Sequence, residues 1–203
     1  WRDTRIARIY EGTNEINRML SVGMLIKKAM KGQLDLIGPA TAVGEELLGI
    51  PDFAIPDFSA PLSQEKHILK NLKKVFLMIA GAGVQKYGTE LEEHQQLLLA
   101  VADILIEVYM AESAVLRAEK NIGVYGLEAQ EHQVALSQLY LYQAVEKIST
   151  KGREAILGFA EGDEQKALLM GLKRFTKYME YPNVIALRNK VAEKLTAENV
   201  YCF

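Results

Sequence analysis

The strongest constraint on this chain is one run of apolar residues, Leu97, Val101, Ile104, Val108, Ala111, Val115 and Ala118, spaced three or four apart without a break. That period puts them all on one face of an α-helix, whereas a strand would align alternate residues. Three more stripes share the period. They are Ile68, Leu72, Val75, Ile79 and Gly83; Val134, Leu141, Val145, Ile148 and Ile156; and Leu168, Leu172, Phe175 and Met179. Each leaves Glu, Lys and Gln on its other side, so each helix must bury one face against a neighbour. Turn-forming residues fall at Tyr87-Gly88, Asn121–Gly126, Gly158–Asp163 and Tyr181-Pro182-Asn183. Connections that short force neighbouring helices to run antiparallel. A last short helix from Val184 to about Leu195 is expected to pack across them. No strand-period segment competes, and the expected fold is all-α, an antiparallel up-down helical bundle.

The first third of the chain reads differently. Thr13 or Asn14 is a plausible N-cap, followed at helical spacing by Ile16, Leu20, Gly23, Ile26 and Met30, with Gly32 as a natural stop. Residues 33–62 then hold Pro39, Pro51, Pro56 and Pro61 with Gly38, Gly44 and Gly49, and no Lys or Arg occurs between Lys31 and Lys66. This predicts a linker with one short helix around Thr41 to Leu48. Its apolar residues (Leu36, Ile37, Leu47, Leu48, Ile50, Phe53, Ile55, Phe58) suggest that it lies against a surface. Three parts are therefore expected: residues 1–32, a Pro/Gly-rich linker over 33–62, and a helical-bundle domain over 63–203.

Composition removes several functions. A net charge of −2, with Lys and Arg spread along the chain, gives no electrostatic footprint for nucleic acid. No apolar run approaches the ~18 residues that span a bilayer. Cys202 is the one cysteine, so neither a disulfide framework nor a Cys metal cluster is available, and at a chain end it reads as a bystander rather than a nucleophile. Di-iron bundles need a carboxylate three residues before each histidine, but Gln64, Leu91 and Ala129 stand there before His67, His94 and His132. Glu90/His94 and Glu128/His132, four apart, read as solvated pairs, and no metal site is expected. The Phe76–Val84 stretch looks briefly like a strand entering a dinucleotide-binding glycine turn. Lys86 occupies the third small position, so Ala80, Gly81, Ala82 and Gly83 are better read as allowing two helices to approach closely. The first residue is Trp1, and the natural N-terminus is expected to lie upstream.

Chemistry is concentrated in Arg5-Ile-Ala-Arg8-Ile-Tyr10-Glu11-Gly12-Thr13-Asn14-Glu15-Ile16. One carboxylate stands beside a glycine that admits close backbone approach, followed by a Thr/Asn pair suited to starting a helix. With Arg2-Asp3 and Arg18 in register, this run resembles the catalytic segment of the flavin-dependent acyl-CoA dehydrogenases, chiefly their short-, medium- and very-long-chain branches. By that resemblance Glu11 is the base that removes a proton beside a thioester carbonyl. Its backbone N–H would be one of the donors to the substrate oxygen, Gly12 would lie against substrate, and Thr13, Asn14 and Glu15 would lie along FAD at a helix N-terminus. Residues 1–32 would then be the end of the family's catalytic helical domain.

The chain continues for some 170 residues past that helix start, and the added bundle is similar to the C-terminal extension of the very-long-chain branch. The ending Ala197–Phe203 is loosely similar to the close of those chains. The resemblance implies the C-terminal part of an enzyme converting long-chain acyl-CoA to trans-2-enoyl-CoA in fatty-acid β-oxidation, with electron-transfer flavoprotein as partner and a homodimeric parent. A bacterial, cytoplasmic parent is expected, or a mitochondrial-matrix one in a eukaryote. The relatives' membrane-contacting segment is basic, whereas the stretch here carries Asp35, Glu45, Glu46, Asp52 and Asp57, so no membrane attachment is expected. The piece alone is expected to be inactive and not to retain FAD. The alternative is a bundle used for oligomerisation or partner docking, with no chemistry of its own.

Overall fold

The computed structural model describes residues 1–49, 56–200 and 202. The described residues form seven α-helices: α1 (Asn14–Met30), α2 (Ile37–Leu48), α3 (Ser63–Tyr87), α4 (Gln95–Tyr125), α5 (Glu131–Phe159), α6 (Gly162–Phe175) and α7 (Val184–Glu198). Short 3-10 turns cover Asp3–Arg8, Gly88–Glu93 and Glu128–Gln130, and the described residues contain no strand.

Helices α3 to α6 form the up-down bundle that the four stripes predict. Lys66 pairs with Glu119 and Lys73 with Glu112, so α3 and α4 run antiparallel. Asn121 bonds Gln133 while Lys147 reaches Glu107, which makes α4 and α5 antiparallel as well. Their inward faces are fully closed: Leu72, Val75, Ile79, Ile104, Ala111, Val115, Ala144, Ile148 and Ile156 are all 0% exposed. Small residues set the closest approaches. A Cβ on Gly152 of α5 would stand 2.8 Å from Leu172 of α6 and 3.2 Å from Ile79 of α3. Gly81 faces Ala40 of α2, and Gly83 faces Leu97, so the Ala80–Gly83 patch does admit close helix approach. At the α4–α5 turn Gly126 has φ +84, a left-handed conformation that a side chain would strain.

The structure departs from the sequence expectation at several places. Helix α4 runs on through Asn121 to Tyr125 before breaking at Gly126. Helix α6 stops at Phe175; Met179 is half exposed, and Tyr178 is the residue buried instead. The Tyr178 hydroxyl has no partner among the described residues, and burial, reinforced by the Glu65 charge, pushes its pKa up. The short helix of the linker begins earlier, at Ile37, with Pro39 in its first turn where no N–H is needed. As its apolar residues suggested, this helix does lie against a surface, that of the bundle. Val43 is buried in the bundle core, Leu47 presses on Gly171, and Glu46 pairs with Lys74 at 2.8 Å and Arg174 at 3.2 Å. Linker residues 50–55, among them Ile50, Pro51, Asp52, Phe53 and Ile55, and Tyr201 and Phe203 near the chain end lie outside the described residues.

Helix α1 packs on α4 and places Val22 in the same core, but not on the face that the spacing suggested. Val22 and Ala29 are buried, whereas Ile16, Leu20 and Met30 are 52%, 55% and 68% exposed. The helix is apolar on two sides, and periodicity alone does not say which side faces this chain. Helix α7 packs on α5 through Val191, Ala135 and Leu139, tied by Lys190–Glu131 at 2.7 Å.

Replacing Ile148 by Ala should cost about 2–5 kcal/mol, because it removes a fully enclosed side chain from a packed seam. The same change at Met170, which is 68% exposed, should stay within about 0.5 kcal/mol. Urea denaturation midpoints at constant slope measure both.

Candidate active-site segment

The backbone entering α1 is built from the residues that the motif supplies. The 3-10 turn ends at Arg8, and the chain reverses through two successive left-handed residues, Glu11 at φ +56 and Gly12 at φ +93. For glutamate that region is sparsely populated and costs about 1–3 kcal/mol, and such outliers cluster where function requires them. Gly12 is doubly constrained. Its φ favours glycine, and a Cβ there would stand 2.7 Å from the Asn17 amide oxygen. Thr13 follows as the N-cap, its hydroxyl accepting the Ile16 N–H at 3.3 Å. Asn17 Nδ2 then donates back to the Gly12 carbonyl at 2.8 Å, fastening the turn to the helix it precedes.

The Glu11 side chain is exposed, and nothing among the described residues shields it from water. Its N–H meets no acceptor among the described residues and stands open. Asn14 and Glu15 are brought into a cleft of about 550 Å³ with Arg8, Arg18, Asp103 and Ile106, whereas Glu11, Gly12 and Thr13 are not among its walls. The cleft lies against the start of α1, where the Asn14 and Glu15 N–H groups have no intrahelical partner and the dipole favours an anion. Sequence reading missed two members of this region. Asn17 carried only the faint signal of a poor helix former in a first turn. Asp103 lies 85 positions from the Arg18 that it bonds at 2.6 Å.

The histidines are engaged elsewhere. His94 stacks on Tyr87 with ring centroids 3.5 Å apart, His67 bonds Asn71, and His132 sits 3.7 Å from Glu131 rather than pairing with Glu128. Among the described residues no group of three His, Cys, Asp or Glu could hold a metal. A larger apolar cleft of about 670 Å³ is walled by Leu25, Ile26, Leu47, Phe76, Gly81 and Leu168. It lies at the far end of α1, about 17 Å along the helix from its start at ~1.5 Å per residue. That distance sets it apart from Glu11. No helix among the described residues is long and apolar enough to cross a membrane.

Comparison with known proteins places this geometry in a family context. A sequence profile described as "Acyl-CoA dehydrogenase, C-terminal domain" matches residues 71–174, within α3 to α6 and outside the Glu11 segment. A probable acyl-CoA dehydrogenase of Bacillus subtilis (strain 168) is 39% identical over 194 residues, which is 95% of this chain and 32% of that protein. The solved structure of an acyl-CoA dehydrogenase from Bacillus anthracis, complexed with FAD, superposes with a TM-score of 0.93 at 37% identity. The overlap covers 100% of this chain and 34% of that one. The chain thus spans about a third of the length of these relatives.

Thr13→Ala should remove the cap and cost about 0.5–2 kcal/mol of first-turn stability. Faster amide hydrogen exchange at Ile16 and Asn17, with the bundle core unchanged, is the expected result.

Proposed function

The chain belongs to the acyl-CoA dehydrogenase family, and we propose that it is the C-terminal part of an FAD-dependent member in which Glu11 is the catalytic base. The observation that carries this reading is the Glu11–Gly12 turn. It holds a carboxylate in left-handed backbone at the mouth of a helix, in a chain 37% identical to a dehydrogenase solved with FAD. The expected division follows. Residues 1–32 close the parent's catalytic helical domain, 33–62 connect, and 63–203 form the bundle, although α1 and α2 both contribute to the bundle's core.

In the proposed reaction the Glu11 carboxylate takes the proton from the carbon next to the thioester carbonyl, and the open Glu11 N–H donates to the carbonyl oxygen as negative charge gathers there. Gly12, with no side chain, lets the acyl group approach the backbone. The residues here fit one edge of FAD. Thr13, Asn14 and Glu15 would hold it, where the unpaired N–H groups at the start of α1 suit an anionic cofactor. When bound, FAD supplies the two-electron acceptor for the hydrogen leaving the neighbouring carbon. The product class is a trans-2-enoyl-CoA.

The finer reading is a long-chain substrate in fatty-acid β-oxidation, electron-transfer flavoprotein as acceptor, a homodimeric parent and a cytoplasmic location. It is supported by the bacterial origin of the relatives and by the length of the bundle. A second reading, in which the bundle serves assembly, draws on Ile106, Tyr109, Met110 and Leu116. These lie along one outward face of α4 and are each more than 40% exposed. Deleting 63–203 from the parent separates the two: turnover lost with the oligomer intact favours the catalytic role, and an altered oligomer favours assembly.

Glu11→Gln in the full-length parent should lower turnover by ~10²–10⁴-fold, the usual worth of a positioned base, with FAD still bound. Near-normal turnover would move the base elsewhere. The 203-residue chain alone should show no flavin-dependent dehydrogenation of acyl-CoA, measured by dye reduction.

A further inference from the structure

We infer that Asp103 of the bundle is a positioning residue for the base, acting through Arg18 to hold α1 and the Glu11–Gly12 turn in register; this rests on the reading of Glu11 above.

Among the described residues, the Arg18–Asp103 contact is the one side-chain hydrogen bond or ion pair joining residues 1–30 to the rest of the chain. Every other side-chain hydrogen bond of that segment among the described residues stays within it. The remaining attachment of α1 is apolar, through Val22 and Ala29 with Met19, Leu25 and Ile26 beside them. Apolar burial drives association without direction, and the few side chains that supply it here leave roll and slide to their interlocking alone. A charged hydrogen bond is directional and supplies what the packing lacks. This one is 2.6 Å long, with side chains 29% and 26% exposed, and Arg18 Nε beside it is buried without a partner. The guanidinium is partly stripped of water and depends on Asp103 for compensation.

The route from that contact to Glu11 is short. Arg18 follows Asn17, whose amide holds the Gly12 carbonyl at 2.8 Å. Rotating α1 about its axis would therefore carry Asn17, the turn and the Glu11 side chain with it. A displacement near 1 Å at a reacting group can cost on the order of 10²-fold in rate. By this account the bundle reaches the base through one carboxylate, on the wall of the cleft that Asn14 and Glu15 also line.

The test uses the full-length holoenzyme with an acyl-CoA substrate. Asp103→Asn should lower kcat by ~10–100-fold, with KM, FAD content and melting temperature close to the parent's. Asp103→Glu, which restores the charge, should recover a substantial part of kcat. Arg18→Met and Asp103→Leu should be non-additive, the double variant losing no more than the worse single one. If Asp103→Asn keeps kcat within twofold while Glu11→Gln abolishes turnover, the base stands and the positioning role is overturned. Near-normal turnover in Glu11→Gln overturns the underlying reading instead. If Asp103→Asn and Asp103→Glu lose FAD or melting temperature in step with kcat, the contact is only structural and the inference fails.

Discussion

The structure depends on the seam that α4 presents to its neighbours. At 31 residues and ~1.5 Å each, α4 is about 46 Å long. It is lined on one side by Val101, Ile104, Val108, Ala111, Val115 and Ala118, none more than 5% exposed. Alanine and valine at these positions let α3 and α5 come close, and the same helix receives α1 near Asp103. A chain with this seam has few alternatives. Leaving it in water would forfeit about 25 cal/mol for each Å² of apolar surface, and only helices of matching length can cover it. The ion pairs along the α3–α4 edge, Lys66–Glu119 and Lys73–Glu112, are a third to a half exposed and stabilise little; they fix direction rather than hold the helices together.

What the sequence made legible was local. A residue's neighbours at three and four positions are determined by helical geometry, so the stripes and the all-α class could be read directly, whereas the ends of α4 at Tyr125 and of α6 at Phe175 could not. The cap at Thr13 was legible for the same reason, because its partner is three residues away. What failed to show was long-range or two-sided. Helix α1 carries apolar residues around most of its surface, and the spacing of Ile16, Leu20 and Met30 marks the side that this chain leaves open. Glu46, which read as part of an acidic stretch repelled by lipid, pairs with Lys74 and Arg174 and docks α2. Such pairs, 28 and 128 positions apart, leave no periodic trace.

The site was legible as a motif and illegible as an environment. Glu11, Gly12 and Thr13 could be named from the motif, and the first two are held in left-handed backbone. Asn17 and Asp103 could not be named, because nothing in their immediate sequence marks them; only the fold brings one to the Gly12 carbonyl and the other to Arg18.

The segment about Glu11 and the outer side of α1 carry apolar surface that is costly to leave in water. Ile9, Tyr10, Ile16, Leu20 and Met24 lie along it, each about half exposed or more. A carboxylate becomes a stronger base as water is withdrawn from it, and the same cover that buried these side chains would withdraw that water. Within the proposed function, covering this face in the parent would stabilise the assembly and shut water away from the carboxylate in a single event. The apolar side of α1 that this chain leaves unused is then the surface through which folding and catalysis are coupled. The opposite side is held by Val22 and the Arg18–Asp103 contact, and on that same proposal it would determine where the base stands when that cover arrives.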